Sequence, residues 1–426
     1  MKKILIITYY WPPSGGAGVQ RWLKFVKYLV KFGYKPHVYT PENPESPAID
    51  KSLQADVPDQ AVIVKRKIFE PYSFYKKFTG KSGNVNASFL SEDKDSRKKL
   101  TEKISVWIRG NFFIPDARVF WVNPSYRFLK KYIKENNIDV IISTGPPHSM
   151  HLIAKKLKEK LDIKWIADFR DPWTNIDFYK DLMLTNWADQ KHKKLEREVL
   201  QTADRVITIG NTIADEFMQI SKKRVEVITN GFDAEDFENV ENIETDNFTI
   251  VHIGSINADR NHKIFWQAIS ELVTENREFK EKLKIKFIGK LDYSVKESIE
   301  KYKLENITEI IAYVPHNEVI KYLSEAKALY LPLNNTPNAK GVLSGKLFEY
   351  LAVNKPIIAI GDENGDAANL IKETKSGFLV GFDNKEKLKE ALIEIFNNYE
   401  KFTSVHINER IKYSREELTK ELIELL

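Results

Sequence analysis

Lys346 and Glu349 stand three residues apart in the segment Gly341-Val-Leu-Ser-Gly-Lys-Leu-Phe-Glu-Tyr-Leu-Ala-Val-Asn-Lys-Pro-Ile-Ile-Ala-Ile-Gly361. On a helix that spacing puts both side chains on one face. The segment reads as a loop through Gly341, Val342, Leu343 and Ser344, a helix from about Gly345 to Val353, and a buried strand from Pro356 to Ile360. A loop running into a helix N-terminus gathers free backbone N–H groups and the positive end of the helix dipole at one point, which suits a phosphate. Lys346 can neutralise a diphosphate there, and Glu349 can accept hydrogen bonds from sugar hydroxyls. The plain alternative is an amphipathic helix with solvated charges.

Further loops fall at the carboxyl ends of predicted strands, where open α/β sheets bind their ligands. Pro12-Pro13-Ser14-Gly15-Gly16-Ala17-Gly18 follows the first strand, and its glycines permit close backbone approach to a phosphate. From Gly16 onward, Arg21 occupies the place where the dinucleotide fingerprint needs its last glycine, which argues against a dehydrogenase. Ser143-Thr144-Gly145-Pro146-Pro147-His148-Ser149-Met150-His151 offers His148 as a general acid or base, or as a hydrogen-bond partner for a sugar hydroxyl. A capping or surface role is the alternative for either histidine. Asp168-Phe169-Arg170-Asp171-Pro172-Trp173 clusters charge at a strand end. That cluster suits a carbohydrate or acceptor rim, or else an Arg170–carboxylate pair that pins the loop. Gly254-Ser255-Ile256-Asn257-Ala258-Asp259-Arg260-Asn261 presents Arg260, a residue able to grip a phosphate with two N–H groups. Weaker candidates are Gly289-Lys290 and Tyr313-Val314-Pro315-His316, where a base can stack or bond the main chain.

These loops need elements to hold them. Short apolar runs alternate with longer amphipathic ones. Strands are predicted at Lys3–Thr8, His37–Thr40, Val62–Val64, Val140–Ser143, Lys164–Ala167, Arg205–Ile209 and Val225–Ile228. A second series follows at Phe248–Ile253, Lys284–Ile288, Ile307–Ile311, Ala328–Leu331, Pro356–Ile360 and Gly377–Val380. Most have continuous apolar centres, as expected of strands buried on both faces of a parallel sheet. Val19, Trp22, Leu23, Val26, Leu29 and Val30 form one helical stripe. Two α/β series imply two doubly wound domains. The boundaries read as an N-terminal domain over 1–233, an acidic linker over 234–247, a C-terminal domain over 248–400 and a helical segment over 401–426. Ser82–Glu102 is polar and reads as a mobile insertion.

Composition narrows the classes. The 426 residues carry 42% hydrophobic and 12% aromatic side chains, a globular balance too long for one core. Cysteine is absent, which removes disulfides, thiolate metal sites and a cysteine nucleophile. No zinc-protease, Walker, EF-hand or serine-elbow motif is present, and no His/Asp cluster demands a metal. The first apolar run ends at Thr8, so a first strand is expected rather than a signal peptide. No run approaches the roughly 20 residues that span a bilayer, so a cytoplasmic protein is expected. The net charge of +6 is uneven: residues 64–134 hold 17 Lys/Arg against six Asp/Glu. Interleaved with aromatics, that basic stretch suits an anionic membrane surface or a lipid-linked phosphate acceptor, the alternative being a solvated lysine-rich face. No nucleic-acid motif accompanies it, and no nucleic-acid partner is expected.

Several of these segments together resemble one family. Gly15-Gly16-Ala17-Gly18, Ala203-Asp204-Arg205-Val206-Ile207-Thr208, Val227-Ile228-Thr229-Asn230-Gly231-Phe232-Asp233, His252-Ile253-Gly254-Ser255 and Ser344-Gly-Lys-Leu-Phe-Glu-Tyr-Leu look like a retaining glycosyltransferase of the GT-B type, group 1. The resemblance implies two Rossmann-like domains facing a deep cleft, with a nucleotide-sugar held by the C-terminal domain and an acceptor by the N-terminal one. It also implies a terminal helix packing back on the N-terminal domain. It makes Glu349 the second glutamate of an E-x7-E motif that binds ribose, and Arg260 a diphosphate contact assisted by Lys346. Gly16 becomes part of the loop over the donor phosphates, and His148 a looser match to a histidine near the transferred sugar; Asp171 is a candidate positioning group from its place in the loop alone. The implied activity is hexosyl transfer from a nucleotide-diphosphate sugar to a glycan or lipid-linked acceptor, with anomeric retention, in cell-surface polysaccharide synthesis. No cofactor or obligatory metal is implied, and peripheral contact with the inner face of the cytoplasmic membrane is a further expectation. A UDP-sugar 2-epimerase on the same fold and a non-catalytic nucleotide or carbohydrate binder are the alternatives. Gly341 departs from the pattern, since the first glutamate should stand there. The backbone N–H groups of Gly341 to Leu343 are then expected to read the donor sugar in its place.

Overall fold

The computed structural model describes residues 1–46, 49–69, 96–237, 245–312, 314, 316–403 and 407–426. The expected insertion Ser82–Glu102 lies outside them as far as residue 95. From Ser96 the chain is helical, to Phe112. Tyr313, Pro315 and residues 238–244 of the expected linker also lie outside.

All thirteen predicted strands form; most are apolar runs buried on both faces of a parallel sheet, while the edge strands at Val62–Arg66, Glu226–Val227 and Thr308–Ile311 are partly exposed. The first sheet holds β1 (Lys3–Ile7), β2 (Lys35–Pro41), β3 (Val62–Arg66), β4 (Val140–Gly145), β5 (Lys164–Phe169), β6 (Arg205–Thr208) and β7 (Glu226–Val227). Its strand order is β3-β2-β1-β4-β5-β6-β7. The second holds β8 (Phe248–Ile253), β9 (Leu283–Ile288), β10 (Thr308–Ile311), β11 (Ala328–Pro332), β12 (Ile357–Ile360) and β13 (Gly377–Val380). Its order is β10-β9-β8-β11-β12-β13. Both are Rossmann-like sheets. In each the chain leaves the centre in one direction, then restarts beside its first strand and runs the other way. The chain divides into two compact units, Met1–Ile228 with Thr419–Leu426, and Thr229–Leu418.

The helix after β1 spans Ala17–Lys31 and is more deeply sunk than its apolar stripe alone requires. Arg21 and Lys24 are buried along with Val19, Trp22, Leu23, Val26 and Leu29, while Val30 is half-buried. Each buried cation has a carboxylate: Arg21 meets Asp168 at 3.0 Å and Lys24 meets Asp56 at 2.9 Å. In the second unit, helices Lys263–Glu275 and Lys385–Asn398 cover the sheet through Phe265, Ile269, Leu388 and Leu392. Neither sheet supplies chemistry itself; both hold loops rigidly at the carboxyl ends of their strands. Among the described residues no helix is long and apolar enough to cross a membrane.

Candidate functional site

In the second unit the strand order reverses between β8 and β11, which are paired through Ala328↔Ile250 and Leu329↔Val251. A crevice at such a switch point is where an open α/β sheet takes its ligand. Side chains from both strands tie it together. His252 Nδ1 donates to the Tyr330 carbonyl at 2.9 Å. The Tyr350 hydroxyl accepts from the Ile253 N–H at 3.1 Å and donates to the same carbonyl at 3.4 Å. Beyond the strand ends, Arg260 Nε donates to Asn334 Oδ1 at 2.5 Å, so the loop after β8 is bonded to the loop after β11. Asn334 carries no motif signal; it lies 74 residues from its partner.

The helix Gly345–Ala352 follows β11 and points its N-terminus at the same place. Its first-turn N–H groups lack intrahelical acceptors, its N-cap Ser344 makes no side-chain cap, and no acidic residue occupies the first turn. Lys346, in that turn, lies across the backbone of Gly254. A Cβ built on Gly254 would sit 2.3 Å from Lys346 Cε and 2.6 Å from Nζ, and its φ is +106°. Glycine is therefore required there for conformation, and a side chain would also have to push the Lys346 tip aside. Burial, then the nearby Arg260 guanidinium, push the Lys346 ammonium down to about 8, with Glu349 pulling the other way. Burial and then the Lys346 and Arg260 charges hold His252 neutral, at about 3. Two cations and a helix N-terminus thus meet where an anion would relieve their repulsion.

The remaining predicted donor residues divide. Glu349 is half-buried one turn after Lys346, Leu343 is buried, Val314 is half-buried, and Ser255 is exposed with its carbonyl 3.5 Å from Arg260 Nη1. The expectation for the N–H groups of Gly341 and Val342 needs correction. They already donate within a tight turn to Asn338 O at 3.0 Å and Ala339 O at 3.2 Å.

Alanine at position 254 tests the crowding directly. Gly254→Ala is expected to destabilise the unit by about 1–3 kcal/mol and to weaken any thermal stabilisation by added pyrophosphate, the simplest anion for this cluster. Unchanged stabilisation would show that Lys346 is not needed where it lies.

In the first unit the charges at the end of β5 and in the loop after it take separate partners. Asp168 is fully buried and pairs with Arg21, not Arg170. It accepts from Arg21 Nη2 at 3.0 Å, Trp22 Nε1 at 2.6 Å and Thr144 Oγ1 at 2.8 Å. Burial alone would raise its carboxyl; the Arg21 charge and these donors hold it below the usual range. Asp168 is therefore a structural member, and Arg21, conspicuous in the sequence only for breaking a fingerprint, is its partner. Arg170 donates from Nε to the Gly145 carbonyl at 3.2 Å and also bonds the Pro146 carbonyl. Its guanidinium lies against Gly18, where a built Cβ would come within 1.8 Å of Nη1. So Gly18 makes room for Arg170, whereas Gly16 is glycine for its φ of +105°. Gly15 is buried beside it. Asp171 is half-buried, and burial raises its carboxyl against the pull of Arg170.

His148 and His151 are both buried. His148 lies flat on Trp173 with ring centroids 4.6 Å apart, and His151 on Phe169 at 4.2 Å. His148 Nδ1 and His151 Nε2 have no hydrogen-bond partner among the described residues, and both crowd Gly145, 3.1 Å and 2.6 Å from a Cβ built there. Burial first, then His151 and Arg170, hold His148 well below its ordinary pKa. It is a neutral imidazole, suited to hydrogen bonding and unsuited to delivering a proton at pH 7, which corrects the general-acid expectation. Trp173, its stacking partner, had no more than loop composition to mark it.

Comparison with curated proteins found no match. Residues 233–412 match the family model described as Glycosyl transferases group 1, and residues 87–236 match Glycosyltransferase Family 4. Among solved structures, a mutant of S. aureus TarM in complex with Fondaparinux, alpha-GlcNAc-glycerol and UDP is similar at 13% identity. Its TM-score is 0.62, covering 100% of this chain and 99% of that one. WaaG, a glycosyltransferase involved in lipopolysaccharide biosynthesis, is similar at 11% identity and TM-score 0.55, covering 99% of each. A Listeria monocytogenes structure assigned as a UDP-N-acetylglucosamine 2-epimerase is similar at 11% identity and TM-score 0.57, covering 99% and 95%. At these identities the likeness is one of fold.

Proposed function

We propose that this chain, supported as a GT-B glycosyltransferase by its two family matches and its fold, transfers a sugar with retention from a nucleoside-diphosphate donor to a glycan or lipid-linked acceptor. The observation that carries this reading is the meeting of Lys346, Arg260 and the Gly345–Ala352 helix N-terminus at the switch point of the second sheet. The hard part of glycosyl transfer is the leaving diphosphate, which gains negative charge as the anomeric carbon becomes cationic. Preorganised positive groups aimed at that charge are the main lever available. Arg260 is already oriented by Asn334, so little reorganisation accompanies the reaction.

In the proposed step the anomeric C–O bond to the diphosphate breaks and the acceptor oxygen attacks the same face. The acceptor proton passes to the departing phosphate oxygen, so no protein base is needed. Glu349 would hold the ribose hydroxyls, and neutral His148 would accept a hydrogen bond from a sugar hydroxyl, with Asp171 positioning. No metal takes part, and chelation is expected to leave turnover unchanged. The lipopolysaccharide role stated for WaaG supports cell-surface polysaccharide synthesis as the setting. The 2-epimerase likeness is the one observation favouring a second reading, in which no acceptor is glycosylated.

The test is thermal stabilisation against a panel of nucleotides and nucleotide sugars without metal, followed by product analysis. A ligand at a hundred times its dissociation constant stabilises by about 2.7 kcal/mol. One nucleotide family is expected to shift the melt, and the product to keep the donor's anomeric configuration. An inverted product sinks retention; an epimerised nucleotide sugar with no glycosylated product sinks transfer. Within this reading Glu349→Ala is expected to weaken donor binding by about 10- to 100-fold and leave acceptor binding unchanged. Equal donor affinity would remove the ribose role.

The pH dependence has a definite sign. Lys346 keeps its proton below about pH 8, so kcat/KM is expected to fall as pH rises through that value in the free enzyme. Lys346→Arg should remove that limb, because a guanidinium stays charged. A falling limb that persists in the arginine variant would assign it to another group.

A further inference from the structure

One surface of the first unit has no part in the chemistry proposed above. On helix Ser96–Phe112, Ile104, Trp107, Ile108 and Phe112 are all exposed, Phe112 at 69%. Their spacing of three, four and eight residues makes a single apolar stripe facing outward. This is not a helix lacking a place to pack. Its C-terminal turn is docked: a Cβ on Gly110 would lie 2.8 Å from Leu184 Cδ2, and Asn111, which shares the face of the stripe but is buried, bonds the Met183 carbonyl at 3.3 Å and the Thr185 N–H at 2.7 Å.

The next helix, Val119–Asn136, continues the surface. Phe120 in its first turn is 48% exposed and meets Phe113 and Phe69 edge-on at 5.9 and 5.8 Å. Farther along, Arg127, Lys130, Lys131 and Lys134 are exposed at helical spacing, one of them, Lys131, 3.4 Å from Glu135. Residues 96–134 hold ten Lys/Arg against two Asp/Glu. A second copy of the chain is a poor occupant, because a two-fold interface sets a patch against itself and would bring these like charges together. An anionic bilayer satisfies both halves, with aromatic rings at headgroup depth and basic side chains on lipid phosphates.

We propose that this face of the first unit docks on an anionic lipid bilayer surface without crossing it. The proposal stands whether or not the chain transfers a sugar. The test is flotation of the full chain with phosphatidylcholine vesicles and with vesicles containing phosphatidylglycerol. The parent is expected to float only with the anionic vesicles, and less as salt rises. Lys130→Ala with Lys134→Ala should weaken binding by roughly 25-fold, and Ile108→Ser with Phe112→Ser by about tenfold or more. All four residues are exposed, so each variant should melt like the parent, and that measurement separates lost docking from lost fold. Absence of flotation at low salt, equal flotation of both variants and parent, or a parent dimer that the apolar variant dissolves would each overturn the proposal.

Discussion

At pH 7 a Lys346→Met variant is expected to turn over about 100- to 1000-fold more slowly than the parent, while its ligand-free form melts at a higher temperature. Both effects have one origin. The ammonium is held against Gly254 near Arg260, where burial and repulsion lower its pKa from 10.5 to about 8. A folded-state value below the ordinary one means the folded protein holds that proton at a disadvantage. The disadvantage is present in full below pH 8 and fades as pH rises from about 8 towards 10.5. Methionine keeps most of the packing volume and removes the charge, so the melting gain should shrink over the same window. Steady-state kinetics and melting curves check both arms. A loss confined to KM would reduce Lys346 to a ground-state contact, and a lower melting temperature would make it a structural cation. Opposite movements of activity and stability are the signature of a strained functional group.

Asp168→Ala is expected to cost about 3–5 kcal/mol of stability, a large part of the 5–15 kcal/mol typical of a folded protein. The change leaves the Arg21 guanidinium buried without its carboxylate and removes the acceptor for Trp22 Nε1 and Thr144 Oγ1. The folded carboxyl lies below its ordinary value. Its stabilisation is therefore present above the unfolded carboxylate pKa and is lost as pH falls through the folded one. The gap between variant and parent should accordingly narrow in acid. Urea titrations followed by tryptophan fluorescence at neutral and acid pH measure this. An unchanged midpoint with lost activity would return Asp168 to the ligand rim that its sequence position suggests.

The two predictions differ in how far the sequence foreshadows them. The Lys346–Glu349 face follows from helical spacing alone, and the helix forms within one residue of the predicted span. Trp173 beneath His148 and Asn334 beside Arg260 had no such signal, since stacking and bridging partners meet only when separate strands are brought side by side. The loop after β5 shows the limit most clearly. Its charges were visible, but a partner within the loop was the natural guess, and the true one is 147 residues away.

The sequence by itself determined the thirteen strands, the burial of most of them on both faces, the doubly wound class and the place of each candidate loop at a strand end. All of these rest on apolar periodicity over a few residues, which any segment carries within itself. Only the tertiary structure decided which loops share a switch point: Gly254 under Lys346, Arg260 on Asn334, Gly18 under Arg170, Asp168 on Arg21. It also decided that His148 is neutral and that the Gly341 and Val342 amides are already engaged. Those outcomes depend on strand order and on desolvation, which arise when distant segments pack and have no counterpart in local sequence.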